Sequence, residues 1–442
     1  MLFQSPTFLI FFALFLSGLG IFKDKNRTRY VTAASYLFYG WWYPPYVAVL
    51  FGLTLYAYVF ARLQPVSKPV FGAVIALGLA PLAVFKYSGF VFGLATDWTL
   101  PLGISFITFT AIAFVFDARA GKVEKTVSFW DTALFISFFP QLIAGPILRA
   151  RELMPQLSAI RLNLSTWKQA LLLFSIGIAK KVGVADQIAP VVDGVFNNAA
   201  DANRWDVILA TYGFAVQIYC DFSGYTDMAL GLALFLNIAL PLNFDRPYGA
   251  TSIRDFWRRW HMTLSRWLRD YLYVALGGNR HGVARLALAV MMTMLLGGFW
   301  HGAAWTFILW GGLHGSVMVL ERLSDGGGAS RRILPDWFKR LYVFHLVALG
   351  WIVFRAPDFQ AMGDMFAGLT VAGDLSLLVA NPIVIVLTVL VLALHAFDSF
   401  DHVKRLSEKA PAAVIFTFCI CLITICVALS SGNPSAFIYF DF

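Results

Sequence analysis

The sequence predicts an all-α integral membrane protein that crosses the lipid bilayer many times. Of its 442 residues, 59% are hydrophobic and only 13% are charged, whereas soluble proteins carry about 25% charged residues. The mean hydropathy is +0.71. Apolar runs recur along the whole chain, and many approach the ~17–25 residues that a membrane-spanning helix needs. Most of the surface is therefore expected to face lipid.

The apolar segments predict roughly eleven to fourteen transmembrane or re-entrant helices, since several are short for a full crossing and a short helix is tolerated where protein buries it. No internal repeat or soluble domain interrupts them, and we predict a single membrane domain over residues 1–442. The segments are 8–22, 30–42, 46–61, 70–84, 100–116, 132–144, 170–184, 207–220, 228–240, 286–300, 304–320, 344–354, 382–394 and 413–429.

The formal net charge of +9 does not indicate a nucleic-acid partner. The basic residues lie in short loops between apolar segments, which is typical of the cytoplasmic excess of lysine and arginine that orients membrane proteins. The first apolar segment is followed directly by the basic run "KDKNRTR" at 23–29. We therefore expect the N-terminus outside the cell and this run in the cytoplasm.

Two regions, 145–170 and 243–285, are too polar to span lipid and mix basic residues with leucine, isoleucine and tryptophan. Both patterns favour amphipathic helix along the cytoplasmic membrane surface. In the second region, helical spacing predicts one apolar stripe, made of Trp257, Trp260, Leu264, Trp267 and Leu268. A surface helix with aromatic anchors is the simplest interpretation of most of these residues.

The stretch "LLGGFWHGAAWTF" at 295–307 holds one ionisable side chain, His301, in otherwise apolar surroundings. An ionisable side chain at membrane depth is costly and is by default a functional candidate, although a neutral histidine bonded to the preceding turn can be ordinary packing. Gly297, Gly298 and Gly302 flank His301. Small residues allow close approach of helices and of a ligand, which favours a functional histidine.

Two stretches give the chain a family resemblance. "RDFWRRWHMTLSRWLRDYLYVALGGNR" and, about forty residues later, "GGFWHGAAWTFILWGGLHG" resemble the membrane-bound O-acyltransferases, most closely the bacterial alginate O-acetyltransferase branch. "PLGISFITF", "FFPQLIAGPILRARELMPQ" and "YCDFSGYTDMALGL" extend the likeness over nearly the whole chain in the same order. The D-alanyl transferases of teichoic-acid modification share "RWHMTLS", whereas "IAGPI" and "GGNR" favour the polysaccharide-acetylating branch.

The resemblance implies a helical fold around a central tunnel, with His261 and His301 at the active site. Imidazole suits the chemistry, because a general base near neutrality must take the proton of a hydroxyl that attacks a thioester. We expect direct transfer with His301 as the base; a covalent acyl-histidine is the alternative. His261 would stabilise the thioester oxyanion or orient the donor, and its alternative is an ordinary interfacial histidine.

Other residues are candidates for substrate binding or for support of the histidines. The arginines among them would contact an anionic donor or, alternatively, anionic lipid headgroups. The acidic and aromatic candidates would line the cavity or hold the core by hydrogen bonds. The set is Trp300, His314, Asp221, Tyr225, Trp260, Arg258, Arg259 and Arg266.

The resemblance also implies a bacterial inner-membrane enzyme that couples export of an acyl group to its transfer. The donor would be a cytoplasmic thioester, either acetyl-coenzyme A or a carrier-bound acyl group, with no bound cofactor or metal. The acceptor would be an extracytoplasmic polysaccharide such as alginate, or a periplasmic partner protein. A D-alanyl-type transferase and, from another class, a proton-coupled transporter are the alternatives.

Overall fold

The structure is a computed structural model that describes residues 1–94, 98–280, 282–325, 334–430 and 437–438. Within these ranges the chain forms helices joined by short connections, with no β-strand. Contacts divide it into two compact units. The described residues of the first unit lie within 1–179, 224–242 and 403–438, and those of the second lie within 180–223 and 243–402. Compact units are not the same as independent domains, so the single membrane domain stays a prediction.

The first unit contains α1 (Pro6–Ile21), α2 (Asp24–Gly40), α3 (Val47–Arg62), α4 (Lys68–Phe92), α5 (Ile104–Arg119), α6 (Phe129–Ser137), α7 (Phe139–Leu142), α8 (Ala150–Leu153) and α9 (Trp167–Ile178). Its last helix is α21 (Ala412–Leu429). Leu172 of α9 packs in a buried cluster with Ile415 and Cys419 of α21. Apolar side chains thus join α9 and α21, which lie far apart in the sequence.

The second unit contains α10 (Asp186–Asn197), α12 (Ile253–Arg259), α13 (Met262–Trp267), α14 (Gly282–His301), α15 (Trp305–Asp325), α16 (Asp336–Arg355), α17 (Phe359–Gly368), α18 (Ser376–Ala380) and α19 (Pro382–Leu394). Two helices continue from this unit into the first, α11 (Arg204–Phe235) and α20 (Phe400–Lys409). Both histidines of the motifs lie in the second unit.

Among the described residues, five helices are long and apolar enough to cross a membrane. They are Pro44–Arg62, Lys68–Phe92, Gly282–His301, Asp336–Arg355 and Ala412–Leu429. A sixth span is formed if Pro382–Phe397 and Phe400–Lys409, bent by 75°, count as one. The prediction of an all-α protein with several membrane-spanning helices is confirmed. The count of eleven to fourteen, which included re-entrant segments, stays a prediction.

The amphipathic helix predicted over 145–170 is wrong. Only the four residues of α8 are α-helical before a 3₁₀ segment at Met154–Ala159, and α9 begins at Trp167. Pro146 and Pro155 explain the interruptions, because proline has no backbone N–H and cannot sit inside an α-helix without breaking a bond. Many apolar side chains of this region are buried, namely Ile147, Leu148, Leu153, Leu157 and Ile160, whereas Leu162 and Leu164 are exposed.

Glycines bring α14 and α15 into backbone contact. A Cβ atom at Gly298 would overlap the carbonyl oxygen of Phe307, and a Cβ at Gly311 would overlap that of Met294. Only residues without a side chain allow helices to approach so closely. This contact fixes the end of α14, where His301 lies, against the start of α15.

Candidate active site

His301 is the last residue of α14 and is 2% exposed. Three aromatic rings meet it nearly edge-on: Trp300 at 5.0 Å, Trp310 at 5.2 Å and Phe354 at 5.4 Å between ring centroids. The rings come from α14, α15 and α16. Edge-to-face contacts of this kind orient a ring, and the apolar wall limits the access of water.

The C-terminal end of α14 also bears on the chemistry of His301. The last carbonyls of a helix carry partial negative charge, which stabilises a nearby cation. An imidazole that accepts a proton at this place becomes a cation next to those carbonyls. The position at the helix end therefore favours a base that is protonated transiently during a reaction.

His261 lies at a break between α12 and α13. Its backbone is left-handed, with φ of 42° and ψ of 52°, and its side chain is fully buried. Asn243 stabilises the turn that follows His261. The backbone carbonyl oxygen of Asn243 accepts a hydrogen bond from the Met262 N–H at 2.9 Å. Its Oδ1 accepts from the N–H of Thr263 at 3.2 Å and from the Thr263 hydroxyl at 2.9 Å.

Because of this break, the second polar region does not form the single surface helix that its sequence predicted. A non-glycine residue in the left-handed conformation costs about 1–2 kcal/mol, so the surroundings must impose it. The helix is interrupted at His261, so the predicted apolar stripe does not continue along one helix. The aromatic side chains do not act as exposed anchors, because Trp257, Trp260 and Trp267 are buried. The cytoplasmic placement of the region stays a prediction.

The two motif histidines face each other inside the second unit. Their ring centroids are 6.4 Å apart, about twice the length of a hydrogen bond. Trp300 contacts both, at 5.0 Å from His301 and 5.9 Å from His261. Phe222 of α11 meets the His261 ring edge-on at 4.7 Å. A reacting group held between the histidines would be within reach of both.

Burial sets the protonation state of His261. Removal from water lowers the pKa of this imidazole to about 3, because an apolar environment disfavours the charged form. The ring is therefore neutral at neutral pH. A neutral imidazole has one N–H donor and one acceptor nitrogen, so His261 can donate a hydrogen bond to an oxygen that gains negative charge.

His314, thirteen residues beyond His301, lies beside the same aromatic rings. Its Nδ1 accepts a hydrogen bond from the indole N–H of Trp257 at 3.2 Å. Its ring is 4.9 Å from that of Trp310, which contacts His301. Since Nδ1 accepts, the proton of a neutral ring is on Nε2. His314 therefore holds Trp257 in position. None of the contacts described joins His314 directly to His301.

A cavity of about 560 Å³ lies along α13 and α14, within the ~300–1,000 Å³ that is usual for ligand sites. Its arginines are Arg254, Arg258, Arg266, Arg269 and Arg322. Part of their charge is balanced locally, since Arg254 Nε lies 3.4 Å from Glu321 and Arg269 Nε 2.7 Å from Asp270. Among the residues that the structure describes, the lining itself contains five arginines and no aspartate or glutamate, which favours an anionic ligand.

The other predicted candidates fall into separate places. Arg259 is paired with Asp255 at 3.0 Å and is not part of the cavity lining. Trp260 is fully buried and packs 5.0 Å from Phe244 and 5.0 Å from Trp351. It directly precedes His261 in the sequence, and its ring anchors the start of the turn in this aromatic packing.

Asp221 and Tyr225 do not join the two histidines in the contacts described. Asp221 Oδ1 lies 2.6 Å from the ammonium of Lys181, which also lies 2.7 Å from Asp186. Tyr225 belongs to the first unit and packs 4.7 Å from Phe3 and 5.4 Å from Phe437. In these contacts both residues support the packing of α11, and their role in a cavity lining stays a prediction.

Sequence reasoning missed several residues of the site. Trp310 and Phe354 form the wall around His301, and Asn243 supports the turn at His261. Trp310 lies within the second motif, where its aromatic side chain could have marked it as a candidate for the site. Nothing in the local sequence marks Phe354 or Asn243. Three further arginines of the cavity were not singled out: Arg254, Arg269 and Arg322. In the part of the chain that the structure describes, no group of three His, Cys, Asp or Glu residues could hold a metal ion.

The fold and the site define a multi-pass membrane protein with a buried histidine pair next to a basic cavity. The sequence model of the membrane-bound O-acyltransferase family matches residues 9–354, which include both histidines. The chain belongs to the membrane-bound O-acyltransferase family. It is therefore an O-acyltransferase, and the transporter that the sequence left open is set aside.

Several relatives carry names that describe acetyl transfer. The probable alginate O-acetylase of Azotobacter vinelandii is 37% identical over 85% of this chain and 79% of its own length. The probable alginate O-acetylase of Pseudomonas putida is 34% identical over the full length of both chains. The peptidoglycan O-acetyltransferase of Helicobacter pylori is 35% identical over 85% of this chain and 81% of its own length.

Proposed function

We propose that this O-acyltransferase moves an acetyl group from a cytoplasmic thioester to a hydroxyl of an extracytoplasmic polysaccharide, or of a partner protein that serves it. The names of its relatives support acetyl as the group and a bacterial polysaccharide as the acceptor. The observation that carries the proposal is the pair of buried imidazoles 6.4 Å apart beside an arginine-lined cavity.

His301 acts as the general base. It removes the proton from the acceptor hydroxyl as that oxygen attacks the carbonyl carbon of the thioester. The C–O bond forms and the C–S bond breaks, and the proton then passes from the His301 imidazolium to the departing thiolate. The aromatic wall of Trp300, Trp310 and Phe354 protects the thioester from hydrolysis by keeping water away.

His261 donates a hydrogen bond to the thioester oxygen as negative charge develops on it. A preorganised donor in a dry site is typically worth about 3 kcal/mol. The neutral ring, the full burial and the contact with Phe222 fit this role. His261 is thereby assigned to oxyanion stabilisation and His301 to proton transfer.

The arginine-lined cavity binds the phosphate-bearing part of the donor. Both coenzyme A and a carrier-bound phosphopantetheine present phosphate groups, for which guanidinium groups are the preferred partners. The cavity lies in the region that the sequence places on the cytoplasmic side. The donor would thus bind from the cytoplasm, and the acceptor would reach His301 from the opposite side in the bacterial inner membrane.

Donor-dependent transfer in membranes tests this function. Vesicles that contain the full chain and its native polysaccharide receive a radiolabelled acetyl thioester, either acetyl-coenzyme A or an acetylated acyl carrier. We expect label to appear in hydroxylamine-sensitive esters of the polysaccharide or of a membrane partner. Labelling by a D-alanyl donor in place of acetyl would contradict the proposed acyl group, and no transfer from either acetyl donor would contradict the function.

Loss of two cavity arginines should weaken donor binding selectively. In the double variant Arg258→Ala and Arg266→Ala we expect the KM for the donor to rise about 100-fold or more while kcat changes little, because two charge-assisted bonds are lost and each is worth about 1.5–3 kcal/mol. Initial rates at varied donor concentration measure the effect.

Arg259→Ala is the matched control. Arg259 lies on the same helix as Arg258 but is paired with Asp255, so its loss should leave the donor KM unchanged. An equal rise in KM for Arg259→Ala and for the double variant would mean that the general positive charge of the membrane surface, rather than the cavity, attracts the donor.

A further inference from the structure

The arginine-lined cavity and His301 share one face of α14. The cavity is lined on this helix by Leu286, Val290, Thr293 and Met294. At 3.6 residues per turn, these positions and His301 fall within about 100° of one another around the helix axis. Met294 precedes His301 by about 10 Å along the helix at 1.5 Å per residue. The shortest course from the cavity to the base follows this face.

The packing on that course is close. Gly297 is on the same face, one turn before His301, and presents no side chain. Leu268, which lines the cavity, approaches it closely: a Cβ atom at Gly297 would lie 3.1 Å from Leu268 Cδ1. The space that the glycine leaves open is therefore taken up by one flexible leucine side chain.

Trp257 lies between the cavity and the aromatic rings around His301. Its side chain lines the cavity, and its ring meets that of Trp310 edge-on at 5.6 Å. Trp310 in turn contacts His301 at 5.2 Å. The hydrogen bond from the Trp257 indole to His314 fixes the orientation of this ring.

We propose that Gly297, Leu268 and Trp257 form a throat through which the acyl end of the donor reaches His301, and that its width selects an unbranched acyl group. This inference rests on the proposed function. The acyl group leads the pantetheine arm, which is itself an unbranched chain over most of its length. An acetyl group is about as narrow as the arm and fits any opening that admits the arm. A branched group such as isobutyryl needs a wider opening.

Leu268→Ala tests the width of the throat. We expect the ratio of isobutyryl to acetyl transfer, measured in membranes with both thioesters of coenzyme A, to rise about tenfold or more, since a methylene-sized difference in a pocket is worth 10–200-fold. Leu272→Ala is the matched control: this partly exposed leucine lies in the same helical turn region, Leu268–Tyr273, outside the lining. It should keep the wild-type ratio.

Gly297→Val tests the same passage by closing it. The added side chain fills the space near Leu268, so we expect kcat for acetyl transfer to fall at least tenfold at an unchanged donor KM, because the arginines still bind the donor. Suppose that the wild type transfers acetyl, that Leu268→Ala keeps the wild-type selectivity and that Gly297→Val keeps the wild-type kcat. The throat would then be wrong, and the proposed function would still hold. Absence of acetyl transfer in the wild type would instead overturn the proposed function.

Discussion

Replacement of His301 by alanine is expected to abolish acyl transfer. General base catalysis by a positioned side chain contributes about 10²–10⁴-fold, and kcat should fall by that factor. His301→Gln should be equally inactive, because an amide fills the space but cannot take up and release a proton. The measurement is the initial rate of label transfer from an acetyl thioester in membranes, normalised to the amount of protein.

His345→Ala is the matched control for this result. His345 lies on α16, is exposed, and has its Nδ1 2.7 Å from the carbonyl oxygen of Leu341. Its loss removes an imidazole without touching the aromatic wall, and the rate should stay that of the wild type. If His301→Ala retained a rate within a few-fold of the wild type, the proton would have another acceptor and the assignment of the base would be wrong.

The burial of His301 could be predicted because its signals are local, whereas His261 was singled out only by the family resemblance. An ionisable residue inside an apolar segment, with glycines around it, marks His301 whatever the rest of the fold does. The close contact of α14 and α15 through Gly298 also follows from residue type. Both features depend on residues that are close together in the sequence and on the apolar surroundings. Both are present in the structure.

The turn at His261 could not be predicted for the opposite reason. Neither Trp260 nor Met262 disfavours a helix, and the left-handed backbone at His261 is stabilised by Asn243 from a separate part of the chain. A helical stripe was therefore the natural expectation. Tertiary contacts override local propensity here, and the same contacts bury side chains that periodicity alone places on a surface.

The distribution of the arginines shows the same limit. Arg258 and Arg259 are neighbours of the same type, yet one lines the cavity and the other is paired with Asp255. Arg322 comes from α15 and completes the lining from a distant part of the sequence. Composition indicates a basic site, but only the packing of α12, α13 and α15 determines which charges share it.

Replacement of His261 by alanine is expected to lower kcat about 10²-fold, the usual effect of losing one oxyanion donor. His261→Asn should retain more activity than His261→Ala, for two reasons. Its amide can donate a hydrogen bond, and asparagine tolerates the left-handed backbone. Rates of acetyl transfer at saturating donor, with protein levels measured in the same membranes, give the comparison.

His261→Gly separates the side chain from the backbone. Glycine adopts φ of 42° without strain, so the turn between α12 and α13 is preserved while the imidazole is lost. If His261 stabilises the oxyanion, His261→Gly is as inactive as His261→Ala and only His261→Asn recovers part of the rate. If its role were only to allow the turn, His261→Gly would act like the wild type. Because a buried neutral imidazole with one N–H can donate at this site, we expect the first result.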